Sequence, residues 1–156
     1  MKKLLLLTTL LLTFACSKDD ESSNEESSNT EQNFLEKYDD YAFENDDGNI
    51  FFINNGEYFL TVFVNEGDES TCVSIKEGNY TDDDIFGDVG EVKIVTNDSN
   101  SFAWEFVYQY DGETYRDNYE YTVNTTGNIM TITYDGDSDD TESLVKISAE
   151  ISDYCN

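Results

Sequence analysis

The stretch from Ser101 to Val123 reads SFAWEFVYQYDGETYRDNYEYTV, and its reading decides the fold. Asp111-Gly112 is a preferred two-residue type I′ turn, so Tyr110 pairs with Glu113. Extending that register pairs Tyr108 with Tyr115, Phe106 with Asp117, Trp104 with Tyr119 and Phe102 with Tyr121. These residues share one face, because side chains alternate along a strand. The other face carries Glu105, Val107, Gln109, Thr114, Arg116, Asn118 and Glu120. So clean a period of two predicts an aromatic face turned inward and a polar face turned to water. Asp117 is the charged residue among the aromatics. It marks either a bulge or barrel mouth, or a polar contact for a ligand.

Working outward, the chain from Asn49 onward alternates short apolar runs with turn clusters. The runs are Ile50–Ile53, Tyr58–Val64, Thr71–Lys76, Val89–Thr96, Ser101–Tyr110, Glu113–Val123, Asn128–Tyr134 and Leu144–Ile151. Clusters such as Asn54-Asn55-Gly56, Glu77-Gly78-Asn79 and Asn124–Gly127 separate them. This spacing predicts an all-β fold, an antiparallel eight-stranded meander closed as a barrel or folded as a β-sandwich. Helical structure is expected only around Phe34–Tyr41. A chain of 156 residues holds one ordinary domain, and its 11 Tyr, 10 Phe and one Trp are what a small core needs to fill itself.

Two stretches carry a family resemblance. Gly78-Asn79-Tyr80-Thr81 followed by a strand, then Tyr121-Thr122-Val123 leading to Gly127-Asn128-Ile129-Met130-Thr131-Ile132-Thr133, resembles bacterial lipocalin-like domains. Those domains end in an acidic turn and a last strand, here Asp135–Asp140 and Leu144–Ile151. Tyr41-Ala42-Phe43 stands where lipocalins commonly carry Gly-x-Trp. The resemblance implies a barrel over most of residues 36–151 that holds a small apolar molecule at its mouth.

The N-terminus reads as an address. Lys2 and Lys3 precede the apolar run Leu4–Leu12, which is too short to span a bilayer and has the form of a signal peptide over residues 1–15. Leu12-Thr13-Phe14-Ala15-Cys16 resembles a bacterial lipobox, implying lipidation of Cys16 and anchorage in the outer membrane. Ser17-Lys18-Asp19-Asp20-Glu21 resembles the surface-export signal of Bacteroidota-type lipoproteins, implying exposure to the exterior. Residues 17–33 lack aliphatic and aromatic side chains and are expected to form a flexible acidic tether, with residues 34–156 as the β domain. With Cys16 taken by lipid, Cys72 and Cys155 remain in an oxidising compartment and are expected to form a disulfide. In the chain-entropy model such a long loop stabilises the fold by about 4–5 kcal/mol.

Charge and composition exclude several functions. With 35 acidic against 8 basic residues the formal charge is −27, which opposes binding to nucleic acid. The absence of His removes the commonest general base and the usual zinc ligand. Paired carboxylates can cleave glycosides without His, but only Asp117 and Glu57 fall near aromatic residues, and no catalysis is expected. The acidic clusters Asp46-Asp47, Asp82-Asp83-Asp84 and Asp135–Asp140 read as solvated loop charge. Calcium is a weaker alternative, because Asp140 and Lys146 break the calcium-loop pattern. Neither metal nor cofactor is expected. The expected ligand contacts are Trp104, Tyr108, Tyr115, Asp117 and Tyr119, meeting a small apolar molecule or, alternatively, a glycan.

Overall fold

The computed structural model describes residues 31–81, Phe86 and 88–155. The signal peptide, Cys16, the export signal and Asp82-Asp83-Asp84 lie outside the described residues. A four-residue helix, α1 (Phe34–Lys37), opens the domain. Ten strands follow: β1 (Tyr41–Glu44), β2 (Ile50–Ile53), β3 (Leu60–Val64), β4 (Thr71–Ile75), β5 (Gly78–Tyr80), β6 (Gly90–Asn97), β7 (Ser101–Tyr110), β8 (Glu113–Val123), β9 (Ile129–Tyr134) and β10 (Thr141–Ile147). Among the described residues no helix is long and apolar enough to cross a membrane.

The helix starts on a capping box. Asn33 accepts from the Glu36 backbone N–H and Glu36 accepts from that of Asn33, satisfying two donors that would otherwise be orphaned. Asn33 therefore belongs to the helix rather than to the tether. The helix stops at Tyr38. Asp40 then takes a left-handed backbone, φ 63°, and the chain enters β1. The sequence expectation of helix through Tyr41 was too long for this reason.

All ten strands form one antiparallel sheet in the order β4-β3-β2-β1-β10-β9-β8-β7-β6-β5. Apart from the step from β4 to β5, each strand pairs with the next along the chain, and β10 returns to pair with β1. The β7–β8 hairpin has the register read from Asp111-Gly112 at every rung, Phe102 with Tyr121 through Tyr110 with Glu113. Both turn residues have positive φ, 52° and 81°, as a type I′ turn requires.

Two features correct the expected eight-stranded barrel. First, β1 and β5 are additional strands, so the sheet has ten. Second, the sheet is not closed. Its edge strands β4 and β5 are joined by Lys76-Glu77, yet they do not pair with one another. The three residues of β5 spend their hydrogen bonds on β6. At the junction a side chain replaces the ladder. The Tyr80 hydroxyl accepts from the Lys76 backbone N–H (2.9 Å) and donates to the Lys76 carbonyl (3.0 Å).

The sheet wraps the larger of two hydrophobic cores. Ile75 from one edge and Tyr80 from the other share it with Phe34, Phe43, Phe59, Phe102, Trp104, Phe106 and Tyr121. The ring of Phe59 lies 5.1 Å from Phe102 and 5.9 Å from Trp104, so opposed parts of the sheet touch through aromatic faces. Gly90 permits this packing. A Cβ there would lie 2.4 Å from the Phe106 ring and 2.7 Å from the Val107 carbonyl.

A smaller core lies on the outer face of β1–β3, where Ala42, Ile50 and Phe52 are buried with Phe63 and Ile147 packed against them. The last strand ends at Ile147 rather than Ile151. Tyr154 sits 6.1 Å from Phe52 and 5.1 Å from Phe63, so the C-terminal segment covers this face. The expected disulfide joins Cys72 of β4 to Cys155 with Cα atoms 5.7 Å apart. It fastens that segment over the patch it covers.

Candidate functional site

Burial falls steadily along the aromatic face of the β7–β8 hairpin. Phe102, Trp104 and Phe106 are 1–2% exposed, Tyr108 and Tyr119 are half-buried, Tyr115 is 40% exposed and Tyr110 63%. The cause is length. Strands β7 and β8 have ten and eleven residues, while β1 to β5 have three to five, so the hairpin tip outruns the strands that could cover it. The expectation that the whole ladder turns inward holds for its lower rungs and fails at Tyr115.

The five expected contact residues therefore separate into two groups. Trp104 is core. Its ring stacks on Tyr119 with centroids 4.1 Å apart, and its buried Nε1 has the Tyr121 hydroxyl as its polar neighbour. Burial raises the Tyr121 hydroxyl far above the ordinary phenol range, leaving it a neutral part of this core. Tyr108, Tyr115 and Asp117 are brought together at the tip, with Tyr119 linking them to Trp104. Tyr108 stacks on Phe106 at 5.3 Å and on Tyr115 at 5.6 Å, and Tyr110 meets Tyr115 edge-on at 6.3 Å. The Tyr115 hydroxyl donates to Glu113 (3.2 Å).

Asp117 sits on the inner face between these rings, half-buried. Burial, then the charges of Asp135 and Asp88, push its carboxyl above the ordinary range, and the Tyr108 hydroxyl acts in the opposite direction. The same burial and the Asp117 charge raise Tyr108 and Tyr119. Asp135 is fixed by its turn, accepting from the Asn118 backbone N–H at 2.8 Å. The end thus presents exposed tyrosine rings beside carboxylates that accept hydrogen bonds.

Sequence reasoning omitted Tyr110, Asp88 and Asp135 from this group. Tyr110 was within reach, because the hairpin register places it one rung beyond Tyr108. Asp88 and Asp135 come from other turns and carried no local signal.

Side-chain caps close the turns that carry Asp46-Asp47 and Asp135–Asp140. Asn45 accepts from the backbone N–H groups of Asp47 (3.1 Å) and Asn49 (2.8 Å) and donates to Glu142 (2.6 Å). Asp137 accepts from the Asp139 backbone N–H (2.9 Å). Among the described residues no group of three or more Cys, Asp or Glu side chains is placed to hold a metal ion. Comparison with protein-family models, with curated proteins and with solved structures finds no match to this chain.

Proposed function

We propose that this chain is a non-catalytic saccharide-binding lipoprotein, anchored in the outer membrane through Cys16 and displayed outward on its acidic tether. The observation that carries the binding role is the ladder's passage from sealed core to exposed tyrosines beside Asp117. Aromatic rings offer apolar faces to the C–H face of a sugar, and carboxylates accept from its hydroxyls, which is the usual composition of a site mixing apolar walls with a few polar groups. The three carboxylates Asp88, Asp117 and Asp135 favour a neutral sugar over an acidic one.

The lipocalin-like reading with an apolar ligand inside receives less support. Phe59, Phe102, Trp104 and Phe106, which would line such a cavity, pack against neighbouring rings. Glycan-array binding by the purified chain tests the proposal, with neutral oligosaccharides expected to score. Co-purification of an extractable apolar molecule, with no glycan bound, would favour the interior-ligand reading instead. For the address, replacing Lys18, Asp19 and Asp20 by Ala should preserve lipidation while shielding the domain from protease added to whole cells. Digestion at the parental rate would contradict surface export.

A further inference from the structure

The opposite end of the sheet has a different character. There the end of α1, Ser99-Asn100 and the Asn124–Gly127 turn surround a pocket of about 330 Å³. Its lining contains Lys37 and Lys146 and no Asp or Glu, in a chain with 35 acidic residues.

The five basic side chains among the described residues sharpen this contrast. Lys76 pairs with Glu57 at 2.7 Å, Lys93 with Glu91 at 2.9 Å and Arg116 with Glu105 at 2.6 Å. Lys37 and Lys146 have no carboxylate partner among the described residues, and both line the pocket. They are held by groups that leave the charge in place. Lys146 Nζ lies 3.3 Å over the centre of the Tyr41 ring. Lys37 Nζ lies 5.1 Å over Tyr38 and donates to the Ser99 carbonyl at 3.3 Å. Cation–π contacts and a carbonyl orient an ammonium without neutralising it.

We infer that this pocket binds a small organic anion the size of one sugar, a carboxylate-bearing saccharide unit such as a uronate. Two oriented ammonium groups supply charge-assisted hydrogen bonds to a carboxylate. Asn100 and Thr125 add neutral polar groups to the lining, and the volume lies within the range of small-molecule sites, about 300–1,000 Å³. The inference is independent of the tyrosine end, which carries the opposite charge.

Calorimetric titration of the full chain with glucuronate, glucose and sulfate tests it. Glucuronate is expected to bind through the two lysines, with the affinity falling as salt is raised, and any glucose heat, which belongs to the tyrosine end, is expected to be the same in the lysine variants. Lys37→Gln with Lys146→Gln should weaken glucuronate by about tenfold or more at an unchanged thermal midpoint, and each single change should weaken it less. Arg116→Gln, a lost cation elsewhere on the sheet, should leave binding intact. Absence of glucuronate binding, or binding indifferent to both lysines, would overturn the inference. So would sulfate binding as tightly as glucuronate, since that makes the pocket a general anion site. Binding that emerges only after residues 17–30 are deleted would also overturn it, by making the chain's own acidic segment the occupant.

Discussion

Trp104 and Asp117 stand on neighbouring rungs of one hairpin face and obey different physics. Trp104 is 2% exposed and stacked on Tyr119; truncating it to Ala removes a large buried aromatic and should cost about 3–5 kcal/mol. Chemical denaturation reads this directly, and an unchanged midpoint would mean the lower ladder is not core. Asp117 carries a carboxyl pushed above its ordinary value. Its protonated form is favoured in the folded state relative to the unfolded chain, so its contribution to stability is lost as pH rises from the unfolded value through the folded one. Asp117→Asn should therefore stabilise the domain at neutral pH. The gain should vanish below the ordinary carboxyl value near 3.8, where both side chains are neutral. Stability curves measured across pH for the two proteins check the sign.

Gly90 sits at the start of β6, against the Phe106 ring. Gly90→Ala forces its methyl group onto that ring and the Val107 carbonyl and should cost about 1–3 kcal/mol, the range for overpacking a core, measured by urea unfolding. The β7–β8 hairpin was legible because its signals are local: a two-residue turn that fixes register and a period of two sustained over ten residues. Tyr41–Glu44 and Gly78–Tyr80 were not. Ile50–Ile53 is as short, but its four residues are all apolar, whereas Tyr41–Glu44 and Gly78–Tyr80 mix small and polar residues and are decided by their neighbours in space. The gap between β4 and β5, bridged by the Tyr80 hydroxyl, and the seating of Tyr154 on Phe52 and Phe63 are tertiary facts with no sequence spacing of their own. The candidate site was half legible for the same reason. The hairpin face announced Tyr108, Tyr115, Asp117 and Tyr119, whereas the exposure of Tyr115 depends on how short the covering strands are.

For the molecule as a whole, the Cys72–Cys155 link closes 83 residues of chain and pins the tail over the outer cluster. Replacing both cysteines by Ser should lower stability by about 2–5 kcal/mol, with the loss read by thermal or urea unfolding. The two ends of the sheet, one with tyrosines and carboxylates and one with two lysines that have no carboxylate partner among the described residues, place opposite charges on opposite sides of the core. In the proposed function one ladder serves as core below and as a sugar platform above. Glycan-array binding by Tyr110→Ala with Tyr115→Ala, measured beside the parent chain, tests it most directly. Tyr110 is 63% and Tyr115 40% exposed, so removing such cross-strand partners at the rim should cost no more than about 1 kcal/mol each. The prediction is that neutral saccharide binding disappears while the unfolding midpoint moves little. Saccharide binding retained at parental strength in the double variant would mean that these rings are not the platform.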